Sequence, residues 1–248
     1  MPPEISIVMP AYNEASRLGR GLSRIRDYFE RYPGGVASIE ILVVDDGSTD
    51  ETPKIAQEWA RHLPQVRLIY NVTNRGKGYS VKHGMQEARG RVAIFTDADL
   101  SSPIEESEKL LNAIAAGNDI AIGSRALDRS LIFGRQSKFR EVAGMIFNAW
   151  VRIFTGLPFE DTQCGFKAFV RERCTVIFDQ QRIERFGFDP ELLYLAKRQG
   201  LRSAEVPVRW AHDPGTKVHM LRDSLLMFSD LIYIRWNSLI GRYPKKNS

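Results

Sequence analysis

The chain has 248 residues, of which 43% are hydrophobic and 26% are charged, a composition typical of a globular protein with a buried core. Its formal net charge of +5 favours anionic partners such as nucleotides, phosphates or a lipid surface. Two cysteines exclude a disulfide framework, and the lack of a Cys-x-x-Cys pair disfavours a zinc site. The N-terminal MPPEISIVMP lacks the pattern of a signal peptide, and no segment reaches the run of about 18 apolar residues typical of a spanning helix.

Short apolar segments alternate with helical patterns along the first half of the chain. The predicted strands are 5–9, 39–44, 66–70, 92–96 and 119–122. The predicted helices are 14–31, 51–62, 77–88 and 105–116. Ser48 or Thr49 is the predicted N-cap of the second helix, which has Pro53 in its first turn. This alternation predicts an α/β fold with a doubly wound, mostly parallel sheet and helices on both faces.

Polar residues follow four of the five predicted strands. They form the motifs PAYNE, DDGSTD, TDAD and GSR. Ligands of doubly wound sheets bind beyond the carboxyl ends of the strands, so these motifs predict a single site. Two nucleotide-binding patterns are excluded, because RGKGYS lacks the spacing of a P-loop and no Gly-x-Gly-x-x-Gly follows the first strand.

Asp97 and Asp99 stand one residue apart at the end of the fourth predicted strand. In an extended segment residues i and i+2 project to the same side, so both carboxylates can bind one cation. Mg²⁺ and Mn²⁺ suit such oxygen ligands, and Mg²⁺ binds through one or two carboxylates together with substrate phosphates. The alternative is that both acids cap the following helix, near Pro103. Their position beside three other polar strand ends favours the metal site.

Several longer motifs resemble a known family, the inverting nucleotide-sugar glycosyltransferases of the GT-A fold, family 2. These motifs are MPAYNE, VVDDGSTDET, NRGKGYSVKHGM and FTDADLSSP. GSRA, EDTQCGFKAF and ERFGFDPELLYLA are similar to the dolichyl-phosphate β-glucosyltransferase branch. The resemblance implies transfer of a sugar, in first place glucose from UDP-glucose, to dolichyl or undecaprenyl phosphate, with Mg²⁺ or Mn²⁺ as cofactor. It also implies a GT-A catalytic domain over residues 1–217, with an amphipathic insertion at about 136–155.

The resemblance implies a donor site at the ends of the first, second and fourth strands. The residues that match the family's nucleotide-sugar site are Pro10, Ala11, Tyr12, Glu14, Asp46, Lys77, Asp97 and Ala98. The chemistry agrees, because an aromatic ring stacks on a base and a carboxylate accepts hydrogen bonds from a uracil N–H or a ribose hydroxyl. Asp97 and Asp99 are expected to hold the metal at the diphosphate, and Asp99 is also assigned a catalytic role. The alternative interpretations are that Tyr12 is a core side chain and that Asp45 only stabilises a turn.

On the acceptor side, the resemblance points to one acid and several cations. The candidates for binding an acceptor phosphate are Arg125, Arg140 and Lys217. A phosphate monoester has a second pKa near 6, so at neutral pH it needs placement more than deprotonation. Asp161 is therefore predicted as a catalytic residue that orients the acceptor, and a role as general base is the alternative. Cys164 is interpreted as a buried thiol, and Asp189 is a lesser site candidate.

Two later segments, 138–154 and 220–240, show apolar residues at helical spacing. A broad apolar face with aromatic and basic flanks is typical of a helix that lies in a membrane interface. We therefore expect a peripheral enzyme at the cytoplasmic face of a membrane, with residues 218–248 as a membrane-associating helix and basic tail. Packing of both helices on the sheet, or on a second subunit of a homo-oligomer, explains the same pattern.

Three alternative functions are each distinguished from sugar transfer to a lipid phosphate by one sequence feature. An enzyme that extends a glycan on a sugar hydroxyl needs a true base at Asp161. A sugar-phosphate nucleotidyltransferase needs a glycine-rich loop after the first strand, where PAYNE stands instead. A non-enzymatic nucleotide- or nucleic-acid-binding module is the third, and a nucleic-acid partner is not expected because no aromatic residues interleave with a basic stripe.

Overall fold

The computed structural model describes residues 3–134, 138–211 and 220–244, with the backbone alone described at 138–141 and 220–224. The strands are β1 Ile5–Ala11, β2 Ile39–Asp45, β3 Val66–Tyr70, β4 Val92–Thr96, β5 Ile120–Ser124, β6 Ile132–Phe133, β7 Phe166–Val170, β8 Ser203–Pro207 and β9 Trp210–Ala211. The α-helices are α1 Ala15–Phe29, α2 Thr52–His62, α3 Lys77–Glu87, α4 Ser107–Ala115, α5 Lys138–Thr155, α6 Arg171–Gln180, α7 Phe188–Arg198 and α8 Met220–Leu239. Short 3₁₀ turns lie at Val36–Ser38, Ile104–Glu106 and Arg129–Leu131.

Seven strands form one sheet in the order β3-β2-β1-β4-β7-β5-β8. Every neighbouring pair is parallel except those that involve β7, which runs antiparallel between β4 and β5. β2, β4 and β5 are buried at every residue, as expected for strands that are covered on both faces. One hydrophobic cluster joins the sheet to α3, α6, α7 and α8, and a second joins it to α1, α2 and α4. The predicted doubly wound fold is therefore confirmed.

The antiparallel direction of β7 decides where the candidate site lies. Phe166, the first residue of β7, is the partner of Thr96, the last residue of β4. The segment that precedes β7 therefore lies at the edge where the parallel strands end. Asp97 follows β4 and Asp161 precedes β7, so both lie at this edge of the sheet.

Helix α1 is positioned by its contacts with the sheet and with the loop after β4. Leu18, Leu22 and Ile25 recur at helical spacing and are fully buried against the sheet. A Cβ added at Gly21 would lie 2.8 Å from the carbonyl oxygen of Ala98, so the absence of a side chain lets α1 approach the loop after β4. The amino end of α1 is satisfied by the first residue of α2, because Thr52 Oγ1 accepts a hydrogen bond from the Glu14 N–H at 2.7 Å.

The five predicted strands and four predicted helices are confirmed, with ends that differ by one or two residues. The predicted N-cap of α2 is wrong, because Asp50 accepts from the Thr52 N–H at 2.9 Å where α2 begins. Ser48 Oγ instead accepts from the Asn13 N–H. The helix that begins at FGFDPELL is α7, whereas β6, β7, β8, β9 and α6 were not predicted from the sequence.

Helices α5 and α8 pack against each other through aromatic side chains. The ring of Phe228 lies 5.5 Å from that of Trp150 and 5.7 Å from that of Phe154. Leu231 and Ile234 on the inner face of α8 are buried in the same cluster as α7. None of the helices in the described parts of the chain is long and apolar enough to cross a membrane. The predicted boundary between residues 217 and 218 lies outside the described residues, and the two-part division stays a prediction.

Candidate active site

The loops after β1 and β2 are tied together at the edge of the sheet. Asn13 Oδ1 accepts a hydrogen bond from the Thr49 N–H at 2.8 Å, and the Ala11 carbonyl accepts from the Asp46 N–H at 2.8 Å. Asn13 has a φ of 52°, a left-handed conformation that non-glycine residues seldom adopt outside functional turns. Tyr12 beside it is 39% exposed, which disfavours its alternative role as a core side chain. The aromatic ring and the two loops therefore lie together at the edge of the sheet, and we use the word cleft for the site that extends along this edge from Tyr12 to Asp161.

Asp46 shapes the loop that leads into α3. Its carboxylate accepts hydrogen bonds from Asn71 Nδ2 at 2.7 Å, from the Arg75 N–H at 3.1 Å and from the Gly76 N–H at 2.7 Å. Gly76 has a φ of 107°, in the left-handed region that favours glycine. Asp46 thus fixes the entry to Lys77, and its predicted contact with the nucleotide stays a prediction. Asp45 is buried and accepts from the Ser48 N–H at 3.3 Å, which agrees with a turn acid.

Asp97 and Asp99 meet cations from two different helices. Lys77 Nζ lies 2.5 Å from Asp97 Oδ1, and Arg17 Nη1 lies 3.7 Å from Asp99 Oδ2. Arg17 also pairs with Glu14 at 3.1 Å, so the loop after β1 is connected to the Asp-x-Asp motif. The sequence singled out both aspartates and Lys77 but missed Arg17. Its position one turn after Glu14, on the same face of a predicted helix, was the available signal.

The two aspartates fit a divalent cation. Burial and the nearby Asp97 carboxylate raise the pKa of Asp99, so a cation at this point would offset an existing repulsion. Asp99 Oδ1 accepts from the Ser101 N–H at 2.8 Å, within the loop and before the following helix, which disfavours the capping alternative. Among the described residues, no group of three or more His, Cys, Asp or Glu side chains forms a metal cluster. Two carboxylates are the ligand set expected where substrate phosphates and waters complete the shell of Mg²⁺.

Lys77 is held as a cation beside these carboxylates. Burial lowers the pKa of its ammonium group, but the charges of Asp97 and Asp189 outweigh that effect and raise it. The ammonium group therefore stays charged at neutral pH. A positive point charge in this place suits the diphosphate of a nucleotide donor.

Asp161 and Arg125 form a two-pronged ion pair on the other side of the cleft. Arg125 Nε donates to Asp161 Oδ2 at 2.6 Å, and Arg125 Nη2 donates to Asp161 Oδ1 at 2.9 Å. Burial raises the pKa of the Asp161 carboxyl, but the Arg125 guanidinium outweighs burial and holds that pKa below its usual value. The guanidinium also lies 5.7 Å from the ring centre of Trp210. An acid with a lowered pKa is suited to orientation and poorly suited to proton abstraction.

Glu205 on β8 supports this pair from behind. Its carboxylate accepts hydrogen bonds from the Glu160 N–H at 2.9 Å and from the Asp161 N–H at 2.7 Å. The sequence did not single out Glu205, because only the sheet order places β8 beside β5. The anchoring of the Asp161 backbone is therefore a property of the fold.

The two sides of the cleft touch at Gly165. A Cβ added there would collide with the carboxylate of Asp97, so only glycine allows this approach. Cys164, the preceding residue, is buried, and burial raises the pKa of its thiol to about 11. A protonated, buried thiol agrees with the structural interpretation of Cys164.

Some predicted acceptor residues fall outside the described side chains. The backbone of Arg140 lies in α5, but its side chain lies outside the described residues, and so does the whole of Lys217. Arg129 is exposed, and its Nη2 lies 3.3 Å from the sulfur of Met145. Arg125 is thus the acceptor candidate whose surroundings the structure defines.

Both amphipathic helices turn apolar side chains outward. On α5 the exposed apolar residues are Val142, Met145, Ile146, Ala149, Trp150 and Ile153. On α8 they are Leu225, Ile232, Tyr233, Trp236, Leu239 and Ile240. We call these two stripes together the outer apolar face. A helix that is apolar on opposite sides requires two apolar surroundings, and the core provides one of them for α8.

Comparison with known proteins gives relatives along nearly the whole chain. The chain is 36% identical over 250 residues to the dolichyl-phosphate beta-glucosyltransferase of Drosophila melanogaster, an alignment that covers 97% of this chain and 77% of that protein. It is 35% identical to the protein of the same name from Homo sapiens, again over 97% of this chain and 77% of the relative. The corresponding Saccharomyces cerevisiae protein is 36% identical, over 96% of this chain and 76% of its own length.

Solved structures with a similar fold include two sugar-transferring enzymes. The glucosyl-3-phosphoglycerate synthase from Mycobacterium tuberculosis, in complex with Mn²⁺, UDP and glucosyl-3-phosphoglycerate, has a TM-score of 0.66 at 20% identity, over 99% of this chain and 82% of that one. The mannosyltransferase PcManGT from Pyrobaculum calidifontis, in complex with GDP-Man and Mn²⁺, has a TM-score of 0.61 at 22% identity, over 97% and 65%. At these identities the likeness concerns the fold, and it confirms the predicted GT-A fold.

The family assignment rests on the part of the chain that holds the cleft. The family model described as Glycosyl transferase family 2 matches residues 6–169, from β1 into β7. This match spans more than half of the chain and includes the donor loops, the Asp-x-Asp motif and Asp161. The chain therefore belongs to glycosyl transferase family 2, as its motifs predicted.

Proposed function

We propose that this glycosyltransferase moves glucose from UDP-glucose to a polyprenyl phosphate, dolichyl or undecaprenyl, with inversion at the anomeric carbon. The relatives named dolichyl-phosphate beta-glucosyltransferase support this proposal, since they match 97% of the chain and about three quarters of their own length. The site supports it independently, because the acid beside the acceptor position is an ion-paired carboxylate.

The Asp161–Arg125 pair is the observation that carries the acceptor class. A sugar hydroxyl must lose a proton as it attacks, which requires a base with a pKa near the working pH. Asp161 has a lowered pKa and gives both oxygens to Arg125. A phosphate monoester brings its own charge and needs a cation and a fixed position. Arg125 supplies a partly exposed guanidinium for that purpose, and Arg140 and Lys217 are the further proposed contacts.

On the donor side, we assign the nucleotide to the wall formed by Pro10, Ala11, Tyr12 and Glu14, with Asp46 at its end. Lys77 and the two aspartates face the diphosphate, and Ala98 lies buried between them. A bound Mg²⁺ or Mn²⁺ at Asp97 and Asp99 would supply Lewis-acid neutralisation of the charge on the departing phosphate. Lys77 adds a fixed positive charge near the same oxygens.

The transfer itself exchanges two bonds at the anomeric carbon. An oxygen of the acceptor phosphate forms a bond to C1 as the bond from C1 to the β-phosphate oxygen breaks, and the electron pair leaves with UDP. Arg125 and Asp161 hold the acceptor on the face opposite to the leaving group. Attack from that face converts an α-linked donor into a β-linked product, through an oxocarbenium-like transition state.

The outer apolar face supports a membrane-bound acceptor. Trp236 is 59% exposed and Leu239 is 74% exposed, on a helix whose other side is packed into the core. Aromatic and aliphatic side chains on an amphipathic helix are typical of attachment to the interface of a bilayer. We propose that α5 and α8 lie in the membrane surface, at its cytoplasmic face, and bring the cleft to the lipid phosphate.

Transfer assays with labelled donors test the whole proposal. Purified protein is incubated with radiolabelled UDP-glucose, GDP-mannose or UDP-N-acetylglucosamine and Mn²⁺, in separate reactions with dolichyl phosphate, undecaprenyl phosphate or a soluble oligosaccharide as acceptor. We expect label from UDP-glucose in the organic phase, with a product that is β-linked. Label that reaches only a water-soluble glycan would contradict the lipid acceptor and favour the sugar-hydroxyl alternative.

A further inference from the structure

Lys167 is a charged residue inside the sheet. It is the second residue of β7, where its strand partners are Phe95 on β4 and Ile122 on β5. Its side chain is completely buried (0% exposed). Burial of an ammonium group is costly unless it is paired and hydrogen-bonded, so its partners define its role.

The partners of Lys167 come from two segments of the active site. Its Nζ donates to Asp189 Oδ1 at 2.6 Å and to the Cys164 carbonyl at 2.6 Å. It also lies 5.2 Å from the centre of the Phe95 ring. Cys164 belongs to the segment that carries Asp161 and Gly165, whereas Asp189 lies in the first turn of α7. The ammonium group therefore joins the amino end of α7 to the loop that forms the acceptor side.

The first turn of α7 also lies against the donor side. A Cβ added at Gly78, next to Lys77, would lie 2.8 Å from the Cβ of Phe188, next to Asp189. Lys77 Nζ in turn lies 2.5 Å from Asp97 Oδ1. Gly165 adds a direct contact between the acceptor loop and the Asp97 carboxylate. Lys167 therefore contacts both the loop that carries Asp161 and the strand that leads to Asp97.

Stability alone is a weak reason for such a pair. Apolar residues of similar volume often replace a buried ion pair without loss of stability, whereas removal of one partner alone is strongly destabilising. The surrounding side chains of Phe95, Phe188 and Ile122 are apolar and buried and would accommodate an apolar residue. A role in the geometry of the site explains why both charges stand here.

We infer that Lys167 and Asp189 are positioning residues of the transfer, which hold the Asp161 segment at a fixed distance from the Lys77–Asp97 pair. This inference rests on the proposed function, because it assigns the pair to the alignment of acceptor and donor. The pair acts through Asp161, Gly165 and Lys77. Loss of the pair therefore lowers kcat and leaves nucleotide binding by the β1 and β2 loops intact.

The test compares single, double and charge-conserving variants of the pair. Lys167→Met and Asp189→Leu each leave one buried charge unpaired, so both should unfold at lower urea concentration than the wild type. The double variant Lys167→Met/Asp189→Leu replaces both charges by apolar side chains and should recover most of the wild-type urea midpoint. Its kcat should still fall at least about tenfold, with the dissociation constant for UDP, measured by calorimetry with and without Mn²⁺, within threefold of the wild type.

Asp189→Glu provides a second test of the positioning role if the double variant is unstable. It retains the charge but moves the carboxylate by one methylene group, so kcat should fall although the protein stays folded. Ser6→Ala is the matched control, because Ser6 Oγ donates to the buried Glu40 at 2.6 Å at the opposite end of the sheet. This control should lose stability and keep its kcat.

The outcomes separate this inference from the proposed function. A folded double variant or Asp189→Glu variant with kcat within threefold of the wild type would overturn the positioning role. A parallel loss of UDP binding and kcat would also overturn it, since that result indicates a general collapse of the site. If the wild type transfers glucose to an acceptor other than a lipid phosphate, the proposed function fails, and the same kcat comparison with that acceptor still tests the pair.

Discussion

The donor half and the acceptor half of the cleft are built in different ways. In the donor half, the loops after β1, β2 and β3 are joined by hydrogen bonds to backbone N–H groups, as at Asp46 and Asn13. In the acceptor half, a side-chain ion pair between Arg125 and Asp161 occupies the centre, and the outer apolar face begins nearby on α5. Backbone contacts fix a shape that is independent of side-chain rotamers, whereas an ion pair can exchange a partner.

This contrast agrees with the two ligands proposed above. A nucleotide is a polar molecule with many hydrogen-bonding groups, and a preformed backbone geometry binds it at a lower entropic cost. A lipid phosphate combines an anion with an apolar chain, and it needs a guanidinium next to an apolar surface. Substitutions in the donor half should therefore affect the donor and metal steps, and substitutions in the acceptor half should affect acceptor use.

The largest effect is expected at the Asp-x-Asp motif of the donor half. Asp99→Asn removes one of two carboxylates for the cation, so kcat should fall about 10²–10³-fold, the loss typical of removing a group that stabilises charge in the transition state. UDP binding measured without metal should change little. EDTA should abolish transfer by the wild type, and Mg²⁺ or Mn²⁺ should restore it.

Full activity of the wild type in chelator would contradict the metal site. A variant that lost UDP binding in the absence of metal would assign Asp99 to the nucleotide wall instead. Lys54→Gln is a suitable control, because Lys54 pairs with Glu51 on the exposed side of α2 and should not influence either measurement.

Asp161→Asn is expected to have the next largest effect, in the acceptor half. Loss of the Arg125 pair misplaces the guanidinium, and a misplacement of about 1 Å can cost about 10²-fold in rate. We expect a ten- to hundredfold loss in kcat/KM for the acceptor, about 1.4–2.8 kcal/mol, with the KM for UDP-glucose unchanged. Steady-state kinetics with varied acceptor and donor measure both values.

The pH profile distinguishes orientation by Asp161 from base catalysis. The Arg125 guanidinium lowers the pKa of Asp161, so this carboxylate stays ionised between pH 6 and 8 and its titration should not appear in that range. Its contribution to stability is present above the unfolded-state pKa of about 3.9 and is lost as the pH falls through the lower folded-state value. If the wild-type rate followed a titration between pH 6 and 8 that is absent from Asp161→Asn, this result would instead indicate that Asp161 acts as a general base.

The sequence located the carboxylates of the donor half because they follow strands in simple order, although it missed Arg17, and their roles stay predictions. Asp46, Asp97 and Asp99 each stand where an apolar run ends, and parallel strands bring such ends together. Lys167 and Glu205 escaped notice because their contacts depend on β7 running antiparallel and on β8 lying at the sheet edge. The lysine in FKAFV was a visible signal, since a charge inside an apolar strand requires a buried partner.

The outer apolar face was only half predictable. Helical spacing correctly predicted helices at 138–154 and 220–240, but periodicity does not say which apolar stripe meets the core. In α8, Leu231 and Ile234 face inward while Ile232 and Trp236 face outward. One helix therefore has both an apolar stripe that packs on the core and an apolar stripe that is exposed. Tertiary packing alone separates the two stripes.

Membrane binding should depend on the outer stripe of α8 and not on exposed apolar residues of the donor half. The double variant Trp236→Ser/Leu239→Ser removes two large exposed side chains, and full burial of such a side chain contributes about 1.5–3 kcal/mol. Partitioning onto anionic liposomes should therefore fall at least about tenfold, with UDP binding unchanged. Liposome flotation and calorimetry provide the measurements.

The matched control carries the same change in the donor half. Val72 is 99% exposed and Tyr70 is 49% exposed at the end of β3, so Tyr70→Ser/Val72→Ser removes a comparable apolar area. This variant should float like the wild type. Equal loss of flotation in both variants would show that attachment is non-specific, and equal flotation of all three proteins would contradict the proposed orientation.

The smallest effect on transfer is expected at Tyr243, which follows α8 and contacts α7. Its hydroxyl donates to the buried Glu191 at 2.5 Å, and Glu191 also accepts from the Ile183 N–H at 2.8 Å. Tyr243→Phe removes a hydrogen bond to a carboxylate, so the free energy of unfolding in urea should fall by about 1.5–3 kcal/mol. Tyr194→Phe, which loses a bond to the neutral hydroxyl of Ser238, should cost about 1 kcal/mol. Both variants should keep kcat within twofold, because the backbone bonds at Glu191 remain; a tenfold loss in Tyr243→Phe alone would mean that the chain after α8 helps to set the geometry of the cleft.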